Sequence, residues 1–253
     1  FTYLSYNSAT DSPSCGAINA AARGAMAVGA DGFLASDLNA SDAYDYYPWA
    51  TVVGYKSGMI STYGGYDDEY VGATELIFDN GDIVLGGDID QTYGRRTSGS
   101  KYDYVFNLGG NISDFLYLGA NVGISSLDYG YDEYFKEAAI DPADFEITFD
   151  DGKRVYFNQM KYRYYYEAEG SGVYAKFGAI LTPGFGFRIG AAVQTPTVNT
   201  ITERWQYSGS TEFTSSSYNG YAASPEGEYT YTVVSPFRAN FGVAYTLLNF
   251  AVV

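Results

Sequence analysis

Histidine is missing from the 253-residue chain and cysteine occurs once. With no imidazole there is no Ser-His-Asp or Cys-His pair, no histidine metal site and no imidazole acid or base, so the commonest catalytic kits are absent. The composition points away from an enzyme and from any cofactor or metal ion. The single Cys15 can close no intramolecular disulfide and has no partner for a thiolate zinc site. Cations are scarce as well: 14 Lys and Arg stand against 30 Asp and Glu, a net charge of −16 at pH 7. They are scattered rather than gathered in a stripe, and such a chain repels phosphate backbones, which excludes nucleic acid as a partner. Long apolar runs are lacking too, and no window approaches the roughly 18 apolar residues of a membrane helix. A mean hydropathy of −0.17 would class the chain as soluble, but a membrane barrel buries apolar surface only on alternate residues.

What the chain has in quantity is glycine (30) and tyrosine (28), with aromatics at 18%. Disordered chains are poor in aromatics, so this is a folded, mostly β protein. Residues 1–94 read as irregular, with short helices. The small-residue run 16–28 follows Ser14 at a helix N-cap position, and a second short helix is expected over Ser41–Asp45, ending before Pro48. From Thr51 to Ile60 helix and strand are both open.

The period then becomes two. Over 101–112, Tyr102, Tyr104, Phe106, Leu108 and Ile112 share one face, and Asp103, Val105, Asn107, Gly109 and Asn111 the other. Ser113-Asp114 makes a tight turn, and the chain returns with Leu116, Leu118, Ala120, Val122 and Ile124 opposite Tyr117, Gly119, Asn121, Gly123 and Ser125. A second hairpin sets Val173, Ala175, Phe177, Ala179 and Leu181 before a turn at Pro183-Gly184, then Phe185, Phe187, Ile189, Ala191 and Val193. A third run, Phe237 to Leu247, follows Ser235-Pro236 and has no return strand in this reading.

These strands match the roughly 9–11 residues that a tilted strand needs to cross a bilayer, about twice the usual globular length. Two short turns alternate with long polar segments near 130–170 and 196–230, the asymmetry of outer-membrane barrels with short periplasmic turns and long extracellular loops. The competing reading is a large soluble β-sandwich; strand length and loop asymmetry argue against it. Aromatics at Tyr102, Tyr104, Tyr117, Tyr129, Phe185 and Tyr245 fall near strand ends, where interfacial girdles belong. About five strands are read, and a closed barrel takes an even number of at least eight, so the chain is expected to be an internal portion of a longer barrel. Residues 95–253 would supply its long strands, and 1–94 a long loop region.

Several phrases carry a family resemblance: Tyr117-Leu118-Gly119-Ala120-Asn121-Val122-Gly123-Ile124, Lys176-Phe177-Gly178-Ala179-Ile180, Arg188 through Pro196, and Ser235-Pro236-Phe237-Arg238 through Tyr245. They resemble the FadL/TodX-type outer-membrane transporters, and more closely a branch often labelled outer-membrane transport proteins or hemin receptors. Pro48-Trp49, Lys56-Ser57-Gly58-Met59 and Tyr70-Val71-Gly72-Ala73-Thr74 look like that branch's long early loop. The resemblance implies an all-β, transmembrane antiparallel barrel of about 14 strands in the full protein, with short helices in extracellular loops. It also implies a location in the cell outer membrane, beside its lipid and lipopolysaccharide, and passage of long-chain fatty acids or aromatic hydrocarbons without chemistry. The family's Asn-Pro-Ala plug signature has no match here, so no plug residue carries over. The second reading is a non-transporting barrel that serves as scaffold for protein partners in an outer-membrane secretion or assembly complex.

An apolar ligand needs a concave apolar surface with few polar anchors. The candidates are Ile18, Met26, Phe33, Leu34, Trp49, Met59 and Ile60, which could equally form the loop region's own core. Arg23 or Lys56 could meet a carboxylate head group, or be solvated surface cations. Alternation puts Lys176, Arg188 and Arg238 on the inward face, where pairing with carboxylates across the lumen is expected. The acidic groups Asp67-Asp68-Glu69, Asp79 with Asp82, Asp88 with Asp90, and Asp150-Asp151 lack calcium-loop spacing and read as solvated surface. The cluster Tyr162, Tyr164, Tyr165 and Tyr166 reads as an interfacial belt.

Overall fold

The computed structural model describes residues 2–9, 26–27, 29–63, 65–77, 83–247 and 250–252, with the backbone alone for 2–9, 247 and 250–252. Cys15, Ile18, Arg23, Asp79, Asp82 and most of the helix expected over 16–28 lie outside the described residues; Met26 and Ala27 are helical. The chain forms β1 (Thr2–Ala9), α1 (Ala35–Asn39), α2 (Ala43–Tyr46), α3 (Trp49–Lys56), β2 (Ile60–Thr62), β3 (Tyr70–Gly72), β4 (Glu75–Ile77) and β5 (Ile83–Leu85). There follow β6 (Ile89–Ile112), β7 (Leu116–Ala139), β8 (Glu146–Thr148), β9 (Arg154–Gly184), β10 (Phe187–Gln194) and β11 (Val198–Phe213). The last are β12 (Gly220–Ala223), β13 (Gly227–Val234), β14 (Arg238–Leu247) and β15 (Phe250–Val252).

An 11-stranded sheet runs in the order β1-β6-β7-β9-β10-β14-β15, with β11 pairing β9, β12 and β13. The pairs β1/β6, β9/β10, β10/β14 and β14/β15 are antiparallel. The chain is mostly β, and among the described residues β1 and β15 do not pair with each other to close the sheet into a ring. Contacts divide the chain into two interleaved units. Unit 1 is 1–98, 131–166 and 205–227, and unit 2 is 99–130, 167–204 and 228–253.

Three expectations change. Residues 1–94 are not wholly irregular: β1 pairs with β6 from Thr2↔Thr97 to Ala9↔Asp90. The long polar segments are largely strand, since β7 runs to Ala139 and β9 begins at Arg154. Around 161–166 exposed Lys161, Arg163 and Tyr165 alternate with half-buried Tyr162, Tyr164 and Tyr166. The period of two persists there, carried by tyrosine, a strong strand former, where a hydropathy contrast has faded. Finally, β14 does have a return strand, β15, over three residue pairs.

In unit 2 the first turn is where it was expected. Ser113 and Asp114 both have positive φ, 54° and 55°, the Phe115 N–H donates to the Ile112 carbonyl at 3.1 Å, and Asn111 accepts from the Asp114 N–H at 3.0 Å. The second turn falls two residues later than Pro183-Gly184. Phe187 pairs with Gly184, leaving Phe185 (φ 54°) and Gly186 (φ 84°) as the central pair. Both central residues of such a primed turn need positive φ, and the twist of the flanking strands selects it. At Gly186 a β-carbon would sit 2.5 Å from the Thr246 carbonyl oxygen. Pro196 and Pro236 explain why β10/β11 and β13/β14 break. Proline donates no ladder hydrogen bond, and hydroxyls fill in: Thr195 Oγ1 accepts from Ala175 N–H and Ser235 Oγ from Thr197 N–H, both at 2.9 Å.

In unit 1 the open segment 51–60 resolves as helix α3 followed by β2. Gly58 (φ 73°) ends the helix: its N–H donates to the Tyr55 carbonyl at 3.0 Å, and the Met59 N–H to the Gly54 carbonyl at 2.9 Å. That is a Schellman cap, which asks for glycine at the left-handed position. Leu38, Val52, Ile60, Ile89, Phe145 and Phe157 are buried in the unit's core, each side chain contributing about 1.5–3 kcal/mol by leaving water.

Replacing Thr195 or Ser235 by Ala leaves a backbone N–H without its acceptor, and each change should cost about 1–3 kcal/mol. Thermal unfolding of the two variants checks this; stability equal to the parent's would show that water serves as well.

Candidate functional site

The pairing of β9, β10 and β14 fixes which side chains share a face of unit 2. Phe177↔Val193↔Ala239, Ala179↔Ala191↔Phe241 and Leu181↔Ile189↔Val243 run across one face, and Lys176↔Gln194↔Arg238, Gly178↔Ala192↔Asn240 and Ile180↔Gly190↔Gly242 across the other. The first face is apolar and exposed: Phe241 is 85% exposed, Leu108 on β6 is 82%, and Val122, Val173, Phe177, Ile189 and Val243 are also open. Soluble monomers rarely expose apolar patches of such extent. Of the aromatics expected near strand ends, Tyr117 and Phe185 lie beside turns, whereas Tyr102 and Tyr104 fall inside β6 and Tyr129 inside β7, because each of those strands runs for 24 residues; all five are exposed. Tyr245 instead packs against Phe187, the rings tilted at 44° with their centres 4.6 Å apart.

Two hollows lie at the same strand level. One of about 590 Å³ and another of about 700 Å³ share most of their lining, including Leu108, Gly109, Leu118, Gly119, Phe177 and Gly178. The residues that distinguish them are Gly110 and Val193 for the first and chiefly Asn107, Lys176, Gly190, Asn240 and Gly242 for the second, which by strand parity puts the first toward the apolar face and the second toward the small-residue face. Glycine and alanine make the second hollow simply by not filling it. A third, polar hollow of about 160 Å³ gathers Lys101, Asp103, Tyr174, Lys176, Gln194 and Arg238. Lys176 and Arg238 line it together with Lys101, while Arg188 is not among that hollow's lining residues. The expected pairing with carboxylates is not found: among the described residues Lys176, Arg188 and Arg238 form no ion pair. Alternation turns them to a face furnished mainly with Gly, Ala, Gln and Asn, where Asp103 is the one carboxylate lining the hollow and makes no ion pair with them.

The proposed ligand-binding residues of unit 1 are spent on its own packing. Met26, Met59 and Ile60 are buried in the core, and Met26 and Ile60 both pack against Gly54. Phe33 packs edge-on against Tyr47 at 4.8 Å. Trp49 donates from Nε1 to the Tyr44 carbonyl at 2.7 Å and lies 6.0 Å from Trp205. Lys56 donates to the Ala40 carbonyl at 2.7 Å and rides over the Tyr44 ring at 5.1 Å, so it is a tie rather than a free cation. Leu34, just before α1, stays exposed.

Alternation splits the tyrosine cluster. Tyr165 faces out, whereas Tyr164 lies 4.6 Å from Tyr207 and Tyr131 stacks 5.1 Å from Tyr166. Burial pushes the Tyr162, Tyr164 and Tyr207 phenols above their ordinary range. The four were expected in one belt; strand geometry permits that only for every second residue. Of the acidic groups, Glu69 accepts from Tyr63 at 2.7 Å. Asp151 accepts from Tyr218, which with the Lys153 N–H holds its carboxyl below the usual range. One trio the sequence did not mark is Asp128, Glu167 and Glu169, with carboxylate oxygens within 4.8 Å of one another. Arg204, 3.3 Å from Glu169 and 2.9 Å from Glu228, supplies countercharge there.

No family model matches the chain, and no curated protein matches it at a significant level.

Tyr70 is buried, its hydroxyl donating to the Phe33 carbonyl at 2.8 Å, and burial pushes its pKa up to about 12. Its raised folded value favours the native state fully below the unfolded value near 10, and that contribution is lost as pH rises through about 12. Tyr70→Phe should flatten the fall in unfolding midpoint across this window; an unchanged alkaline slope would assign the loss to the other raised tyrosines.

Proposed function

We propose that the chain forms part of an outer-membrane β-barrel that passes hydrophobic small molecules, such as long-chain fatty acids or aromatic hydrocarbons, without chemistry. The observation that carries this reading is the exposed apolar face of unit 2. It covers segments 102–112, 116–124 and 173–181, which match the roughly 9–11 residues a tilted strand spends in a bilayer, and the shorter segments 187–193 and 237–243. Such a face is costly in water and stabilising in lipid. Turns of two or three residues at 113–115 and 185–186 fit the periplasmic ends of such barrels. The resemblance to FadL/TodX-type transporters points the same way. The hollow on the small-residue face, about 700 Å³, has the size of a small-molecule site, and it favours a conducting barrel over a scaffold with a filled interior.

The environment of the apolar face is testable at Phe241. In water Phe241→Arg should be neutral or improve solubility, because the ring is 85% exposed. In a bilayer the same change should cost about 2–4 kcal/mol at mid-membrane, falling toward the interfaces. Unfolding of the parent and the variant measured in vesicles, set against their behaviour in detergent-free buffer, separates the two, and a variant as stable in vesicles as the parent sinks the membrane assignment. Transport is read separately. Proteoliposomes carrying the parent should take up a labelled fatty acid or hydrocarbon faster than empty vesicles; equal rates in a correctly inserted protein would leave the scaffold reading in possession.

A further inference from the structure

We infer that Lys101, Lys176 and Arg238 form a binding site for a phosphate-sized oxyanion on the small-residue face of unit 2. The inference stands independently of hydrophobic transport. It begins with register. Lys176 on β9 and Arg238 on β14 both pair with Gln194 on β10. Adjacent strands lie about 4.8 Å apart, so the two Cα atoms flank Gln194 at a separation of roughly 10 Å. Two long cationic side chains rooted on either side of one amide can converge on an anion seated over it. Arginine offers a planar fork of donors and lysine a compact charge, complementary means of holding phosphate oxygens.

The neighbours favour an anion. Lys101 lines the same hollow, and Asp103 is the only carboxylate among its lining residues, an excess of three cations over one acid. Among the described residues none of the three cations forms an ion pair. Lys176 Nζ lies 4.9 Å from the Tyr174 ring centre, and that ring packs over Gly123, where no side chain intervenes. The tyrosine thus acts as a shelf that limits the lysine's freedom. At about 160 Å³ the hollow is far smaller than the one assigned above to an apolar ligand. Its polar lining suits one tetrahedral oxyanion with a few waters rather than an acyl chain. The concentration of positive charge is unusual in a chain of net charge −16, and mutual repulsion of the three cations is relieved when an anion joins them.

The phosphate group could arrive free or as the head group of an amphiphile, and two titrations tell these apart. The intact protein in non-ionic detergent is titrated calorimetrically with inorganic phosphate and, separately, with dodecyl phosphate. Saturable binding that weakens with added salt is expected. Lys176→Gln and Arg238→Gln should each weaken it about tenfold, the loss of one charge-assisted hydrogen bond. Lys176→Arg should keep most of the affinity, and Arg188→Gln, outside the hollow, should leave it unchanged. Strand circular dichroism selects folded variants, with Lys101→Gln standing in where either neutral variant fails to fold. Binding of both titrants marks a site for the free ion, and binding of dodecyl phosphate alone marks a head-group site. Failure of both to bind, or an equal loss in Arg188→Gln, overturns the inference.

Discussion

Strand alternation is the constraint on which the rest depends. Successive side chains on β6, β7, β9, β10 and β14 must point to opposite faces, so each of these strands carries two surfaces at once. One bears Leu108, Leu118, Phe177, Ile189 and Phe241; the other bears Gly109, Gly119, Gly178, Gly190 and Gly242. The backbone ladder saturates its own polar groups, and it does so equally well in water and in hydrocarbon. What distinguishes the two media is the apolar face, which gains from lipid and loses in water. The same alternation that makes this face greasy empties the opposite one, because small residues there leave hollows instead of a core.

Unit 1 obeys a different rule. Its short helices are too brief to stand alone, and they persist because Leu38, Val52, Met59 and Ile60 enter one core with Phe145, Phe157 and Phe213 from the strand region. Apolar residues committed to such a core cannot also line an open ligand site. Met26, Met59 and Ile60, for which the sequence leaves a ligand site and the loop region's own core both open, lie in that core. Trp49 and Lys56 are tied in the same way, each by a hydrogen bond to a backbone carbonyl.

The hairpins of unit 2 were legible because apolar and small residues alternate cleanly and Ser113-Asp114 interrupts them. The same logic failed where the contrast was between kinds of polar residue. Lys161 through Tyr166 alternates as strictly as any strand, but a tyrosine opposed to an arginine gives little hydropathy signal, so the sequence does not distinguish this strand from a loop. The turn at Phe185-Gly186 was missed because Pro183-Gly184 carries the louder turn residues, whereas register and twist, both non-local, choose the site. The helix end at Gly58 is local chemistry, a glycine at the left-handed position of a Schellman cap just after Lys56-Ser57, whereas the apolar spacing of 51–60 fits helix and strand alike. The gathering of Lys101, Lys176 and Arg238 could not be read, because it depends on which strands are neighbours.

Charge placement completes the argument. The strand segments 101–112, 116–126, 172–184, 187–194 and 238–247 contain Lys101, Lys176, Arg188 and Arg238 but only one carboxylate, Asp103, although acids outnumber bases 30 to 14 over the whole chain. A barrel wall explains why these segments carry so little charge, since a charge on the lipid side is expensive. It does not explain the sign. Random placement at the chain's own ratio would favour acids about two to one, and a face meant only to be filled would need neither. Three cations against the single carboxylate Asp103 around one polar hollow of the small-residue face set up a local potential opposite to that of the molecule as a whole. Such a potential draws anions toward one face of the sheet while the overall charge repels them from the rest.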